Sequence, residues 1–522
     1  MDYHKDTLTN RILMIIIFAG FIIIVTYAIG RVLTFYQTGT EPGDAMNMNP
    51  KLMLEHTPDV TWLPQHPRVQ ENLGVNKFLL KEVASSYLNS WYLANISIKN
   101  GEPIALKDYY SKEPRTVLAG LVSDMAPEYQ VYRIDLNHTM RMTWMAPDLQ
   151  ICAFEDRGVP IIKRMIDPET QDILSEEHTI MDIDVVMTLE DGNWRIRHMV
   201  AQRIEEQDTA YQPPLRETGR ITAIDQVKGI NYYPAETPWH DFWSNFNDTT
   251  LHRDFHVMDS LGFNTARIFI PFEEFGKGNV NLKLVDRLVE LLDIAEAHDV
   301  DVIVTLFDFL YDFSLNNYSA IDRHIDVIAE AIKDHPALLA WDIKNEPDLD
   351  YFHYGQDRVE RWLRFVLHRL DEYDPDTYKT IGWLDPTQSP EFHDYVDFVS
   401  YHFYEDPTTI FDKMDQVRST IDGPKSVMIE EFGRPTYNLL IKKSTDEDQA
   451  EYYQTVMSAI SQMEGVSFAL WTLYDFTNVP NQVVGALPWK KIPQKGYGIM
   501  KNDTLGKPAL EVIRPYLLSP EE

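Results

Sequence analysis

The sequence predicts an α/β fold: a (β/α)8 TIM barrel, preceded by a small α+β cone-like domain and one N-terminal transmembrane helix. Three observations predict it. Beyond residue 221, eight short apolar runs alternate with amphipathic helices, as in a closed parallel sheet wrapped in helices. Residues 75–205 carry one long helical stripe followed by strand-like segments. Near the start, Ile12 to Gly30 runs for nineteen residues without a charge, between Arg11 and Arg31. The 522-residue length fits more than one domain, and 44% hydrophobic content with 12% aromatics indicates large packed cores. A formal charge of −34 argues against a nucleic-acid partner, whose phosphates it would repel. Cys152 is the only cysteine, which excludes an internal disulfide and a cysteine-rich metal site.

Taken in order, residues 1–36 read as a transmembrane signal anchor. At about 1.5 Å per residue the apolar stretch reaches roughly 30 Å, enough to cross a hydrocarbon core and long for a cleaved signal. Lys5 and Arg11 favour a cytoplasmic N-terminus, with everything after Arg31 on the periplasmic, extracellular or lumenal side. Ala28 and Gly30 form a small-x-small pattern, so a cleaved signal stays an alternative. Residues 37–74 lack periodicity, contain Pro42, Pro50, Pro58, Pro64 and Pro67, and read as a linker.

Within 75–205, Leu79, Val83, Tyr87, Trp91 and Leu93 form one helical stripe. "MDIDVVMTLEDGNWRIRHMVA" then reads as a hairpin turning at Asp191-Gly192. This order resembles the nuclear-transport-factor-2-like α+β cone, and the resemblance implies a ligand-holding, spacer or dimerisation module, with a homodimer as the expected partner. His138, His178 and His198 are scattered here and read as ordinary core or surface histidines. Residues 206–220 read as a second linker.

Residues 221–522 hold the barrel. Its runs are "VKGINYY", "NTARIFI", "DVIVTLF", "LLAWDIK", "KTIGW", "VDFVSYHF", "SVMIEE" and "VSFALWTL". Between them lie amphipathic helices, one with Val285, Leu288, Leu291, Leu292 and Ala295 on one side. Another carries Trp362, Leu363, Val366, Leu367 and Leu370. An open doubly wound sheet is the competing topology, but no glycine-rich phosphate loop follows the first run.

Such barrels place their chemistry at the C-terminal strand ends. The polar residues there are Asn231, Arg267, Asn345, Glu346, His402, Tyr404 and Glu431, with Trp471 closing the last run. Glu346 and Glu431 sit across the barrel mouth from one another. Two facing carboxylates are what glycosidic cleavage requires, one protonated to release the leaving oxygen and one ionised to meet the anomeric carbon. Strand alternation, with β-branched Val427 and Ile429 assigned to the interior, points Glu431 inward and Glu430 toward the helices. For Asn345 and Glu346 both to face the site, a bulge or bend must separate them.

"WDIKNEP" together with "MIEEFG" resembles the clan A glycoside hydrolases, most closely the family 5 cellulase and mannanase group. "KGINYYP", "GFNTARIFIPFE", "SYHFYED" and "FALWTLYDF" extend the resemblance over about 221–518. It implies a retaining enzyme acting on a β-linked glycan without cofactor or metal, with Glu346 as acid/base and Glu431 as nucleophile. Asn345 would bind the sugar 2-hydroxyl, Arg267 and Tyr404 would hold Glu431 with support from His402, and Trp471 would lie under the sugar. The group carries a histidine at the end of strand 3, where "TLFDFLYDF" offers Phe307, Asp308 and Asp312. The alternatives are a non-catalytic glycan-binding barrel and a transglycosylase using the same site. Tyr232, Tyr233, Trp239, Trp243, Tyr311, Trp383 and Trp489 are candidate cleft aromatics, about half of them expected in the core.

Overall fold

The structure, a computed structural model, describes residues 58–123, 129–190, 192–207 and 224–518, except 68, 70–74, 424, 440 and 441, together with 14, 18–27 and 29. Residues 18–27, inside the expected anchor, are helical, while most of the remaining anchor lies outside the described residues. Among the described residues no helix is long and apolar enough to cross a membrane. The chain divides into two compact units, Met1–Thr209 and Ala210–Glu522.

In the first unit, helix α1 (Lys77–Asn100) begins where the Asn76 side chain accepts the amides of Phe78 and Leu79, each at 3.0 Å. It ends at Gly101, whose φ of 68° suits a residue without Cβ. Its stripe of Val83, Tyr87, Trp91 and Leu93 is buried in a core shared with Met140, Phe154, Val185 and Ile196. The sheet runs β1 (Asp59–Trp62), β3 (Asn137–Met145), β4 (Ile151–Ile166), β5 (Ile173–Glu190), β6 (Asn193–Gln207), with β2 (Gln130–Asp135) paired to β4. Strand β4 is shared because its register breaks between Asp156 and Val159, around Gly158. Its first half pairs with β3 and its second half with β2. The β5–β6 hairpin forms with Glu190 opposite Asn193, as the Asp-Gly turn requires; Asp191 itself lies outside the described residues.

One expectation for this unit needs correction. The segment 37–74 is not all linker: β1 pairs in parallel with β3, and Val69 is buried. Pro58 and Pro64 bracket that strand instead of interrupting it, while Val60 and Trp62 pack on the core. His138 is a core residue, and two aspartates hold it. Its Nδ1 lies 2.6 Å from Asp156 Oδ2 and its Nε2 3.0 Å from Asp135 Oδ2. The Tyr87 hydroxyl donates to the same Asp156 oxygen at 2.9 Å. Burial opposes charge on the ring, but the two aspartates outweigh it and raise its pKa to about 9.

The second unit is a closed parallel barrel of eight strands in sequence order. They are β7 (Lys228–Asn231), β8 (Thr265–Pro271), β9 (Asp301–Asp308), β10 (Leu338–Asn345), β11 (Tyr378–Trp383), β12 (Val399–Phe403), β13 (Val427–Phe432) and β14 (Val466–Leu470). Each falls within or across one expected run. The surrounding helices are α2 (Asp248–Leu261), α3 (Leu282–Ala297), α4 (Tyr318–Ile332), α5 (Gln356–Tyr373), α6 (Ile410–Ser419), α7 (Asp446–Ile460) and α8 (Pro508–Leu517). Short 3-10 turns, Pro386–Gln388 and Pro390–Asp394, replace a helix between β11 and β12, where prolines deny the chain helical amides. The stripes read in α3 and α5 are buried. The barrel floor is apolar, with Val227, Ile303, Ala340, Met428 and Ala469 in one cluster.

Candidate active site

Above that floor lies a fully buried polar layer centred on Arg267 of β8. Its Nη2 donates to Asp342 Oδ2 at 2.6 Å and to Asn345 Oδ1 at 2.9 Å. Its Nη1 donates to Asn231 Oδ1 at 3.0 Å and to Glu431 Oε2 at 3.2 Å, and its Nε lies 3.4 Å from Glu430 Oε1. Burial disfavours the cation, but Glu430, Asp342 and Glu431 outweigh it and hold the guanidinium protonated. Thr305 donates to Asp342 at 2.7 Å and Ser400 to Glu430 at 2.7 Å, so neighbouring strands share the load. Gly382 of β11 gives this cluster its room. A Cβ there would stand 2.9 Å from Arg267 Nη2, 3.1 Å from Glu430 Oε2 and 3.2 Å from Asp342 Oδ2.

Strand alternation misassigned β13. Met428 and Glu430 point into the barrel, where Glu430 meets Arg267 and Ser400. Glu431 reaches the site as well because the β12–β13 register skips Glu430, Tyr401 pairing with Ile429 and His402 with Glu431. On this strand the interior position of the floor is taken by Met428, not by β-branched Val427 or Ile429. Burial lifts the Glu430 carboxyl to about 7 against the pull of Arg267. On β10 the interior face is Ala340 and Asp342, while Trp341 donates its indole N–H to Asp374 at 2.7 Å. The bend expected between Asn345 and Glu346 is present: the register shifts after Asp342, and Glu346 adopts a left-handed φ of 47°.

These deviations converge the expected residues. One carboxylate oxygen each from Glu346 and Glu431 and a ring nitrogen of His402 all lie within 4.8 Å of one another. His402 Nδ1 sits 2.9 Å from Glu346 Oε1 and 3.8 Å from Glu431 Oε2. Tyr404 donates to Glu431 Oε1 at 2.5 Å. Burial drives the His402 pKa down, yet Glu431 and Glu346 reverse it to about 8. Burial pushes Glu346 up, and His402 more than offsets it, so its carboxyl lies below the ordinary value. Glu346 and His402 are therefore coupled through the hydrogen they share, the charge on each favouring the charge on the other. By spacing alone, Glu346, His402 and Glu431 could also hold a metal ion, as could exposed Asp293 and Glu296 with His335.

The cleft above this centre encloses about 1020 Å³. Trp471, Tyr233, Trp239 and Phe269 line its inner part, and Tyr311 and Trp489 its outer part. Tyr232, Trp243 and Trp383 are buried in the core instead. The rim includes residues of a small antiparallel ladder, Tyr437–Asn438 with Lys443–Ser444, and of the helix Pro488–Lys495. Two cleft residues were passed over or left without a role. Lys344 pairs with Asp350 at 3.0 Å, and Asp308 ends β9 beside Tyr233. Phe307 packs against Trp362 and His324, and Asp312 accepts the Ser314 amide at 2.9 Å. The signal for Lys344 was its interior parity with Ala340 and Asp342.

Residues 222–477 match the family model for Cellulase (glycosyl hydrolase family 5). A mannan endo-1,4-beta-mannosidase of Cryptopygus antarcticus is 25% identical over 152 residues, 23% of this chain; the match spans only 38% of that relative's length. Among solved structures, a GH5_18 protein of Streptomyces cattleya in complex with GlcNAc is 18% identical, with a TM-score of 0.47 over 55% of this chain and 78% of its own. The exo-beta-1,4-mannosidase Op5Man5 from Opitutaceae bacterium strain TAV5 is 19% identical, with a TM-score of 0.47 over 55% of this chain and 58% of its own. The barrel is therefore similar to family 5 glycoside hydrolases over residues 222–477.

Proposed function

We propose that this glycoside hydrolase barrel cleaves a β-linked polysaccharide or oligosaccharide with retention, by double displacement. The observation that carries the reading is the approach of Glu346 and Glu431 oxygens to within 4.8 Å. Carboxylate oxygens this close fit a retaining pair, whose carboxyl groups stand roughly 5 Å apart, better than an inverting pair at about 6.5–9.5 Å. Glu431, with Tyr404 and Arg267 each holding one of its oxygens, is the nucleophile at the anomeric carbon. Glu346 protonates the leaving oxygen, drawing on the proton it shares with His402, and then takes a proton from the incoming water. Asn345, held by Arg267, is placed for the sugar 2-hydroxyl, and Trp471 for the ring face.

The test is a hydrolysis screen on defined β-glucans, mannans and xylans, with NMR of the first-formed anomer. Retention and labelling of Glu431 by a mechanism-based fluorosugar are expected. Inversion, or inertness of wild type alongside Glu346→Ala and Glu431→Ala, would overturn the reading.

Two further parts of the proposal rest on sequence alone. Ile12 to Gly30 tethers the enzyme to a membrane, with the barrel on the periplasmic, extracellular or lumenal face. Residues 75–205 pair two copies of the chain. Membrane fractionation with protease accessibility tests the first; light scattering of the detergent-solubilised chain tests the second.

A further inference from the structure

We propose that Asp308 is a substrate-binding residue that requires the sugar in the catalytic subsite to present hydrogen-bond donors, hydroxyl or ammonium, and excludes a uronate. This rests on the glycosidase reading of the cleft. Asp308 borders the cleft at the end of β9, yet is only 7% exposed. Its partners are few. The Phe309 amide donates to Oδ1 at 3.1 Å, and the Tyr233 hydroxyl reaches Oδ2 at a long 3.4 Å. A carboxylate has about four acceptor positions, and a buried one normally gathers more donors than this. The cleft is where further donors can come from.

The backbone supplies a second, independent observation. Phe309 has a φ of 51° and Glu346 a φ of 47°. Side chains other than glycine seldom tolerate this region, and such strain collects where the surrounding structure imposes it for function. The turn out of β9 starts at Phe309, directly after Asp308, and both Asp308 and Glu346 border the cleft. Phe309 is clamped there by the His240 ring, 4.4 Å away between centroids.

Charge decides the sugar class. Asp308, Glu346, Asp350, Glu405, Asp406 and Glu431 border the cleft against Lys344, Arg434 and Lys442, and Lys344 is already committed to Asp350 at 3.0 Å. A uronate carboxylate would be desolvated among like charges. The groups facing Asp308 are Tyr233 after β7, Arg267 of β8, Lys344 of β10, His240 and Tyr311. Burial raises its carboxyl to about 6 against the pull of those cations, so it is ionised at neutral pH and ready to accept.

The experiment titrates the full chain with mannotetraose, cellotetraose, a chitosan tetramer and a β-linked tetrauronate, following tryptophan fluorescence and kinetics between pH 5 and 8. Wild type should bind at least one donor-only tetramer and the tetrauronate more weakly. Asp308→Asn, with unchanged melting temperature, should weaken that binding by roughly tenfold or more, since a charge-assisted bond is lost. It should raise KM more than it lowers kcat. Wild-type affinity should fall as pH drops through about 6, and the variant should lose that dependence. Wild type that binds no donor-only tetramer overturns this inference together with the glycosidase reading. Normal cleavage with Asp308→Asn affinity unchanged, or a preference for the tetrauronate, overturns this inference alone. If Asp308→Asn fails to fold, Asp308→Ser replaces it under the same criteria.

Discussion

Tyr404 donates to Glu431 Oε1 at 2.5 Å, on the oxygen opposite to the one that Arg267 holds at 3.2 Å. The carboxylate is thus gripped from both sides, which fixes its direction. Tyr404→Phe removes one grip without changing volume. A hydrogen bond to a charged group is worth about 1.5–3 kcal/mol, so kcat/KM should fall about 10- to 100-fold. Steady-state kinetics on the best substrate of the screen would show it, and a variant within twofold of wild type would remove Tyr404 from the machinery.

His402 gives the pH dependence. Its pKa is raised to about 8 by Glu431 and Glu346 against burial, so the ring is charged through neutrality and loses its proton as pH rises through 8. Beyond that point the shared proton is gone and kcat/KM should fall. In His402→Gln, Glu346 loses the cation that holds its carboxyl down and must titrate alone, so the alkaline limb should move to lower pH. An unmoved limb would exclude His402 from the proton balance.

Arg267 is fully buried among Asp342, Glu430 and Glu431. Arg267→Met would leave those acids uncompensated in the barrel interior. Removing one partner of a buried ionic network costs about 3–5 kcal/mol, and denaturant unfolding of the barrel should lose stability on that scale. A loss below about 1 kcal/mol would mean that the acids simply take up protons.

His138 makes a separate prediction for the first unit. Its folded pKa of about 9 exceeds the unfolded value of 6.5, so its stabilisation is complete below 6.5 and disappears as pH rises through 9. Hydrogen exchange of β3 and β4 peptides in the full chain should therefore accelerate between pH 7 and 9 beyond its intrinsic pH dependence. His138→Gln should flatten that excess.

The barrel strands were legible because each is a short, mostly apolar run between amphipathic helices, a pattern that burial on both faces imposes. Facing within a strand was not. Val427 and Ile429 look like interior residues until Met428 and Ala340 are seen filling the floor, and a one-residue bulge then delivers Glu431 to the face that alternation had assigned for the wrong reason. Asp342 was left without a role and Glu430 was turned toward the helices because a carboxylate inside a barrel needs partners from other strands, which spacing along one strand does not reveal. Strand β1 was hidden by its prolines, and the tie from His138 to Asp135 and Asp156 by distance along the chain.

Gly382 has an evolutionary consequence. A methyl group at that position would press on Arg267, Glu430 and Asp342 at once, so a larger residue there must displace a hydrogen-bonded network. The ladder at Tyr437–Asn438 and the helix Pro488–Lys495 stand clear of it. New glycan preferences in this lineage should accumulate in those outer segments, and laboratory selection for altered specificity should diversify them first.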